Sequence, residues 1–343
     1  MKQAFGIYLM FGGILIGMYM IFGVYLPSHA GLPAPAAQEI SYSEKTDQEI
    51  LATAKYSHPK KEEPAFSLFT VPDGLKKEVD FWTKIYSVYT SDEAVLHDPF
   101  NLGKIYGTLT LPHCDEPPAK ECLTLREERI EDEKKKILDD LGTTADEVKI
   151  RAQVGQKDKF KNAIVAAQGF LADIEKIFAE YQLPKEISRL PFVESMFNND
   201  SLSHSGAAGI WQLMPSTARL LGLKVTKAED ERRDPVKSTR VAAKHLLRDY
   251  KRLGSWPLAV NAYNSGPSRL ANAVAVLGTT DIVKIIKNYD NPAYGFAARN
   301  FYPCFLAALN IYERRNEYFG DLLQLNGGQD ISGQLINADK AHE

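Results

Sequence analysis

The chain has 343 residues, of which 44% are hydrophobic and 25% charged, and its formal net charge is -3 at pH 7. This length suits one large or two modest globular domains, and the composition excludes a disordered or collagen-like chain. Basic residues are interleaved with acidic ones, as in EERIEDEKKKILDD at 127–140. We therefore expect no nucleic-acid partner, because binding to a polyanion normally requires a basic stripe.

Residues 1–30 resemble an export segment. Lys2 precedes an uncharged run from Ala4 to Leu26, and residues 28–30 resemble a signal-peptidase cleavage site. The run is also long enough to cross a hydrocarbon core of about 30 Å. A cleaved signal peptide and an inner-membrane anchor through residues 4–26 are therefore both open. Since Lys2 is the only early positive side chain, either outcome places the remainder in the periplasm or cell envelope.

The next two segments are predicted to be a tether and an accessory region. Residues 31–70 are rich in Pro, Ala and Ser and predict a flexible linker. Residues 71–160 predict a mostly helical region. The predicted elements are a helical stripe in LKKEVDFWTKIYSVY, extended pieces in AVLHDP and KIYGTLTLP, and helices at about 125–141 and 144–155.

Residues 161–320 predict an all-helical domain, followed by a polar tail at 321–343. A long helix is expected at about 159–181 and another at about 296–318, where Pro303 is expected to introduce a kink. Asp234 followed by Pro235 is typical of a helix N-cap and first position. The predicted fold class is therefore mainly α.

The chain has three cysteines. Cys114 and Cys122 flank DEPPAKE, and in an oxidising exported setting they could close a small loop or remain reduced. Cys304 lies in an apolar helical run and is expected to be an inert core thiol. The seven histidines are scattered and no Cys/His group has metal-ligand spacing, so we expect no metal and no other cofactor.

The stretch RLPFVESMFN at 189–198 sets one acid, Glu194, among apolar residues. Burial without a cationic partner favours the protonated carboxyl. Raising the pKa of a glutamate by about 2 units increases its acid form roughly a hundredfold at pH 7. Such an acid can protonate a glycosidic oxygen, the central step of glycoside cleavage. The alternative is a glutamate that points to solvent from a helix end.

Two downstream segments favour the catalytic interpretation. SHSGAAGIWQLMP at 203–215 combines small residues, which let a ligand approach the backbone, with the amide of Gln212 and with Trp211, which is suited to covering a sugar face. NAYNSGP at 261–267 ends a helix with Tyr263 and Asn264. Each segment alone is typical of ordinary structure, so the hypothesis rests on their joint presence after Glu194.

These motifs resemble a known family. Glu194-Ser195, the GIWQ run at 209–212 and the AYN run at 262–264 resemble the ordered motifs of the soluble-type lytic transglycosylases of peptidoglycan, whose domain is similar to goose-type lysozyme. GAAGIWQLMPSTA and DERRDPVKSTRVAAKHLL look most like the membrane-bound lytic murein transglycosylase D type. The resemblance covers about residues 181–318. It implies a lysozyme-like helical domain.

The resemblance also implies roles for individual residues. Glu194 would be the single catalytic acid and base, and Ser195 would orient it or the substrate. Gly209, Trp211, Gln212, Tyr263 and Asn264 would bind the glycan. The family often has a late tyrosine where this chain has Phe301, followed by Tyr302, and we assign the functional hydroxyl to Tyr302.

The implied reaction cleaves the β-1,4 bond between N-acetylmuramic acid and N-acetylglucosamine and leaves 1,6-anhydro-N-acetylmuramic acid ends. Glycan strands of peptidoglycan are the expected partner. Two alternatives stay open: a hydrolytic muramidase of the same fold, and an inactive wall-binding scaffold.

Overall fold

A computed structural model describes residues 68–115 and 118–320. Within those two ranges, none of the helices combines the length and the apolar character needed to cross a bilayer. The predicted signal or anchor at 1–30, the polar tail at 321–343 and all but three residues of the tether at 31–70 lie outside the described residues.

The accessory region contains two long helices and a small sheet. Its elements are α1 (Lys76–Ser87), β1 (Glu93–His97), β2 (Ile105–Thr110), α2 (Lys120–Asp140) and β3 (Arg151–Val154). The strands form an antiparallel sheet in the order β2-β1-β3. The two predicted extended pieces are therefore strands. Helix α2 begins five residues before its predicted start.

The helix predicted at 144–155 is wrong, because the segment ends in β3. Its apolar residues, Val148, Ile150, Ala152 and Val154, recur at every second position. That period belongs to a strand rather than a helix. Leu96 of β1 pairs with Ala152 in the sheet, and both side chains are buried in a small core against α2.

The remaining helices form the body of the molecule. They are α3 (Lys157–Ala167), α4 (Leu171–Glu180), α5 (Pro191–Glu194), α6 (Pro215–Leu220), α7 (Pro235–Leu253), α8 (Trp256–Ser265), α9 (Pro267–Leu277), α10 (Ile282–Asn288), α11 (Phe296–Glu313) and α12 (Arg315–Phe319). Short 3-10 turns lie at Lys185–Arg189 and Glu231–Arg233. The mainly α prediction is confirmed.

Two predicted helices are each divided in the structure. The helix expected at 159–181 is interrupted around Gly169, which separates α3 from α4, since glycine is among the poorest helix formers. The last long helix continues through Pro303 and ends at Glu313, before the separate α12.

The N-cap prediction is confirmed: Asp234 accepts hydrogen bonds from the backbone N–H groups of Val236 (3.0 Å) and Lys237 (2.9 Å).

The cysteines adopt one of the two expected arrangements. Cys114 and Cys122 form a disulfide, with their Cα atoms 6.0 Å apart, which links the end of the sheet to the first turn of α2. Cys304 is a buried free thiol, as predicted.

One hydrophobic core joins the accessory region to the helical body. Buried residues of α1 and α3 belong to the same cluster as those of α5 to α11, and α1 packs along α11. Trp82 on α1 donates a hydrogen bond from Nε1 to Oδ1 of Asn300 on α11 (2.9 Å). The boundary that the sequence predicted between residues 160 and 161 lies inside α3. The accessory region therefore shares its packing with the helix that supports the candidate site.

Candidate active site

Glu194 is the last residue of α5, a single helical turn. The three helix residues before it are buried, as are the next three along the chain, whereas Glu194 itself is only partly buried. Met196 and Phe197 then take positive φ angles of 54° and 56°, so the chain turns sharply after the acid. Residues with side chains rarely adopt this conformation, and its cost is offset by the burial of both side chains.

The carboxylate of Glu194 lacks a charged partner. Across 68–115 and 118–320, no hydrogen bond or ion pair joins it to another side chain or to the backbone. Neither of its oxygens is among the fully enclosed side-chain atoms that lack a partner, so the group reaches the surface of the protein. Burial raises the pKa of Glu194 from its ordinary 4.5 to about 8. The acid is therefore largely protonated at neutral pH and open to a ligand.

Ser195 connects the end of α5, which carries the acid, to the loop at 201–213. Its hydroxyl donates a hydrogen bond to the carbonyl oxygen of Ile210 (2.9 Å), and its side chain is buried. Because this hydroxyl is enclosed and its proton is already used, the geometry favours the first of the two predicted roles of Ser195, orientation of the acid, over orientation of the substrate. The contact holds the end of α5 against the loop at 201–213.

Glycine is required at position 209 of that loop. Gly209 has a φ of 78°, and a Cβ there would collide with the carbonyl oxygen of Arg232. Its backbone N–H donates to the carbonyl oxygen of Ser201 (3.0 Å). Gly209 is therefore a packing residue as well as a candidate for ligand approach.

Gln212 is held by the same loop. Its φ of 47° is in the left-handed region. Its amide nitrogen donates to the carbonyl oxygens of Gly209 (2.9 Å) and Ser201 (3.3 Å). The side chain is partly exposed. The amide oxygen makes no hydrogen bond within the described part of the chain, so it is the atom of Gln212 that a sugar hydroxyl or amide can reach.

Tyr263 on α8 lies close to the acid. Its hydroxyl donates to the carbonyl oxygen of Trp211 (2.8 Å). Burial, followed by the negative charges of Glu194 and Asp249, raises the pKa of Tyr263 well above its ordinary value. Asn264, the next residue, is exposed. The structure thus brings Tyr263 within electrostatic reach of Glu194 and leaves the Asn264 amide open to solvent.

Trp211 does not cover a sugar face. Its side chain is fully buried, its ring packs on Phe178 with centroids 5.5 Å apart, and Nε1 donates to Oγ1 of Thr239 (2.8 Å). The prediction failed because an indole can satisfy its single donor inside a core as easily as at a surface.

The functional hydroxyl assigned to Tyr302 stays a prediction, which the burial of this side chain does not favour. Tyr302 is 1% exposed and packs against Phe305. Burial alone raises the pKa of Tyr302, with no contribution from Glu194. Phe301 beside it is buried as well. The tyrosine that responds to the acid is Tyr263.

Two buried polar residues that the sequence analysis did not single out support the site. Arg232 pairs with Asp230 (2.6 Å) and donates to the carbonyl oxygens of Gly206 (2.5 Å) and Leu213 (2.9 Å), which fixes the loop at 201–213. Asn261 donates to the carbonyl oxygen of Ala298 (2.8 Å), which ties α8 to α11. Asn261 was signalled in the sequence as an asparagine inside the otherwise apolar run WPLAVNAY. Arg232 had no such signal, because it lies in the charged run EDERRDP.

The part of the chain that the structure describes holds no group of three or more His, Cys, Asp or Glu side chains arranged to bind a metal ion. The chemistry available from its residues is therefore that of a carboxylic acid, a phenol and amides.

Part of this chain matches a known protein family. Residues 174–286 match the model of the transglycosylase SLT domain. This chain contains an SLT domain. The SLT domain includes Glu194, Gln212 and Tyr263, and it ends before Tyr302.

Two curated relatives match part of this chain. The membrane-bound lytic murein transglycosylase D of Escherichia coli strain K12 is 47% identical over 93 residues, which are 27% of this chain and 21% of the relative. The putative tributyltin chloride resistance protein of Alteromonas sp. strain M-1 is 33% identical over 127 residues, 37% of this chain and 57% of the relative. The chain thus spans between about a fifth and somewhat over half of the length of these relatives.

A solved structure also overlaps the chain. The lytic transglycosylase Slt of Pseudomonas aeruginosa matches 43% of this chain and 24% of its own, with 23% identity and a TM-score of 0.33.

Proposed function

We propose that this chain is a peptidoglycan lytic transglycosylase. It cleaves the β-1,4 bond between N-acetylmuramic acid and N-acetylglucosamine and leaves 1,6-anhydro-N-acetylmuramic acid ends. The observation that carries the proposal is the Glu194 carboxyl, which reaches the surface of an SLT domain without a charged partner and whose pKa burial raises to about 8. With that pKa, about nine-tenths of the carboxyls hold a proton at pH 7.

The proposed reaction needs one acid that acts twice. Glu194 protonates the glycosidic oxygen as the bond to C1 of N-acetylmuramic acid breaks and positive charge develops on that sugar. The resulting carboxylate then takes the proton from the C6 hydroxyl of the same sugar. The C6 oxygen bonds to C1 and closes the anhydro ring, which leaves Glu194 protonated for the next cycle.

The neighbouring acids have other partners, which favours this outcome over hydrolysis. Hydrolysis of a glycosidic bond ordinarily uses a second carboxylate as nucleophile or base. Asp200 is exposed and lies 3.4 Å from Arg233, and Asp234 caps α7. Because neither is free to activate water beside Glu194, the C6 hydroxyl of the substrate is the better nucleophile.

Glycan contacts are proposed for the residues whose polar atoms remain accessible. The amide oxygen of Gln212 and the amide of Asn264 are available for hydrogen bonds to sugar hydroxyl or N-acetyl groups. Tyr263 offers the exposed part of its ring and the lone pairs of its hydroxyl, and Gly209 allows close approach to the backbone. Glu194 is proposed as the catalytic residue among them.

The mass of the products tests the proposal. Digestion of purified sacculi should release muropeptides that are lighter than hydrolytic products by one water. Glu194→Gln, a near-isostere that cannot donate the proton, should release none. Glu128→Gln, on the exposed face of α2, is the matched control and should behave as wild type. Water-added products alone would contradict the mechanism and favour a muramidase.

The same experiment tests the inactive scaffold. If wild-type protein binds sacculi but releases no soluble product under conditions in which a known muramidase does, the enzymatic proposal fails. Equal clearing by wild type and Glu194→Gln would remove Glu194 from its proposed role.

We further propose that the chain works outside the cytoplasm. The export-like pattern of residues 1–30, the Cys114–Cys122 disulfide and the membrane-bound relative support this location. Sequencing the N-terminus of exported protein distinguishes a cleaved signal peptide from a membrane anchor. Cleavage after Ala30 indicates a soluble periplasmic protein, and an intact N-terminus indicates an anchor through residues 4–26.

We propose, as predicted from the sequence, that residues 161–320 carry catalysis, and we further assign a bracing role to residues 71–160. Because the boundary at 160/161 lies inside α3, the two parts share that helix. The stacking of Arg151 over Phe296, with its guanidinium carbon 4.2 Å from the ring centroid at the start of α11, and the burial of α1 against α11 support this role.

A further inference from the structure

A buried acid that the proposed mechanism does not use lies behind the site. Asp249 on α7 has a side chain only 1% exposed, and both of its carboxylate oxygens are enclosed without a well-directed hydrogen bond. Its nearest basic neighbours are Nδ1 of His245, one turn earlier at 3.2 Å, and Nε of Arg248 at 3.9 Å. Because an unpaired buried carboxylate is costly, the contact with His245 has to be maintained in the folded protein.

His245 connects this acid to the site. Its imidazole lies against the ring of Tyr263, with centroids 5.2 Å apart and planes inclined by 31°. The Tyr263 hydroxyl is fixed at its other end by the Trp211 carbonyl oxygen. The phenol therefore has two supports: a backbone acceptor at its tip and the imidazole against its face.

The groups that lie against His245 come from two helices. Asp249 and Arg248 approach it from its own helix α7, and Tyr263 approaches it from α8. The pair thus supplies the Tyr263 side of the site with a ring contact whose imidazole is held by a buried acid.

We propose that His245 and Asp249 are positioning residues for Tyr263: Asp249 holds the imidazole, and the imidazole fixes the Tyr263 ring beside Glu194. This inference deepens the proposed function and rests on it. Neither residue is assigned contact with substrate.

Two variants separate the ring contact from the buried pair. His245→Gln removes the ring while keeping an amide that can donate to Asp249, so the buried acid stays paired. We expect kcat to fall about tenfold, because a loosened Tyr263 is placed less precisely, while KM changes by less than about twofold. The double variant His245→Phe with Asp249→Leu keeps a ring against Tyr263 and removes the pair, so its kcat is expected to stay within about twofold of wild type.

The controls make each result decisive. Asp173→Asn changes an acid on the exposed face of α4 and should keep wild-type kcat. Thermal unfolding of every variant shows whether the fold is retained, and kcat and KM are measured well below its unfolding midpoint.

The inference is overturned if folded His245→Gln retains wild-type kcat, or if the double variant loses as much kcat as His245→Gln although it keeps a ring, since a merely structural pair would change the unfolding midpoint alone. Failure of the proposed function has a different signature. In that case wild-type protein releases no anhydro product, or Glu194→Gln is as active as wild type.

Discussion

Replacing Glu194 by glutamine should make the protein more resistant to unfolding as the pH rises. The folded protein binds the Glu194 proton with a pKa of about 8, against an ordinary 4.5 for the exposed group. The folded state therefore holds this proton more tightly than the unfolded chain does. The stability that this proton contributes is fully present below about pH 4.5 and is lost as the pH rises towards 8.

The size of the effect follows from the two pKa values. The cost to folding is about 1 kcal/mol at pH 5, about 3 kcal/mol at pH 7 and about 5 kcal/mol at pH 9, and the Gln variant has no such cost. Between pH 5 and pH 7 the variant should therefore gain at most about 2 kcal/mol over wild type. This is an upper value, because the carboxylate reaches solvent and its charged form can be partly hydrated.

Urea unfolding of both proteins at pH 5, 7 and 9 measures the difference, with Glu128→Gln as the control for loss of an exposed charge. The gain of Glu194→Gln over wild type should grow steadily with pH, and that of the control should stay flat. Parallel curves for wild type and Glu194→Gln would refute the reasoning, because they would mean that Glu194 ionises alike in the folded and unfolded chain.

Three further substitutions test the packing behind the site. Gly209→Ala should cost several kcal/mol in the free energy of unfolding, because the positive φ and the Arg232 carbonyl oxygen leave no room for a methyl group; a variant within about 0.5 kcal/mol of wild type would contradict this. Trp211→Ala should lower stability by about 3–5 kcal/mol through loss of the buried indole and its bond to Thr239, and chemical denaturation measures it. Tyr302→Phe should leave kcat within about twofold of wild type on soluble glycan fragments, whereas a tenfold loss would restore this residue to the site.

Much of the fold was predictable because its signals are local. The N-cap of α7 depends on Asp234 and the proline after it, and the structure contains that cap. The helix expected at 144–155 failed for a different reason: its alternating apolar residues gain their partner only when β1 is in place beside them. Pairing between distant segments is a tertiary event that local helix propensity does not record.

The residues of the site were also predictable only in part. The acid, the amide of Gln212 and the phenol of Tyr263 were selected by residue type and order, and the structure leaves all three at least partly accessible. Trp211 and Tyr302 were selected for chemistry that suits a ligand, but the structure uses both rings to fill the core. Residue type tells what a side chain is able to do; which face of the fold it joins depends on packing.

The most direct test of the account is the titration of Glu194 itself. In protein labelled with ¹³C at glutamate side-chain carboxyls, the resonance that disappears in Glu194→Gln identifies this group, and its chemical shift can be followed from pH 3 to pH 10. We predict a midpoint near pH 8, as expected for a carboxyl held uncharged by its apolar surroundings. A midpoint near 4.5, the ordinary value, would contradict the proposed general acid.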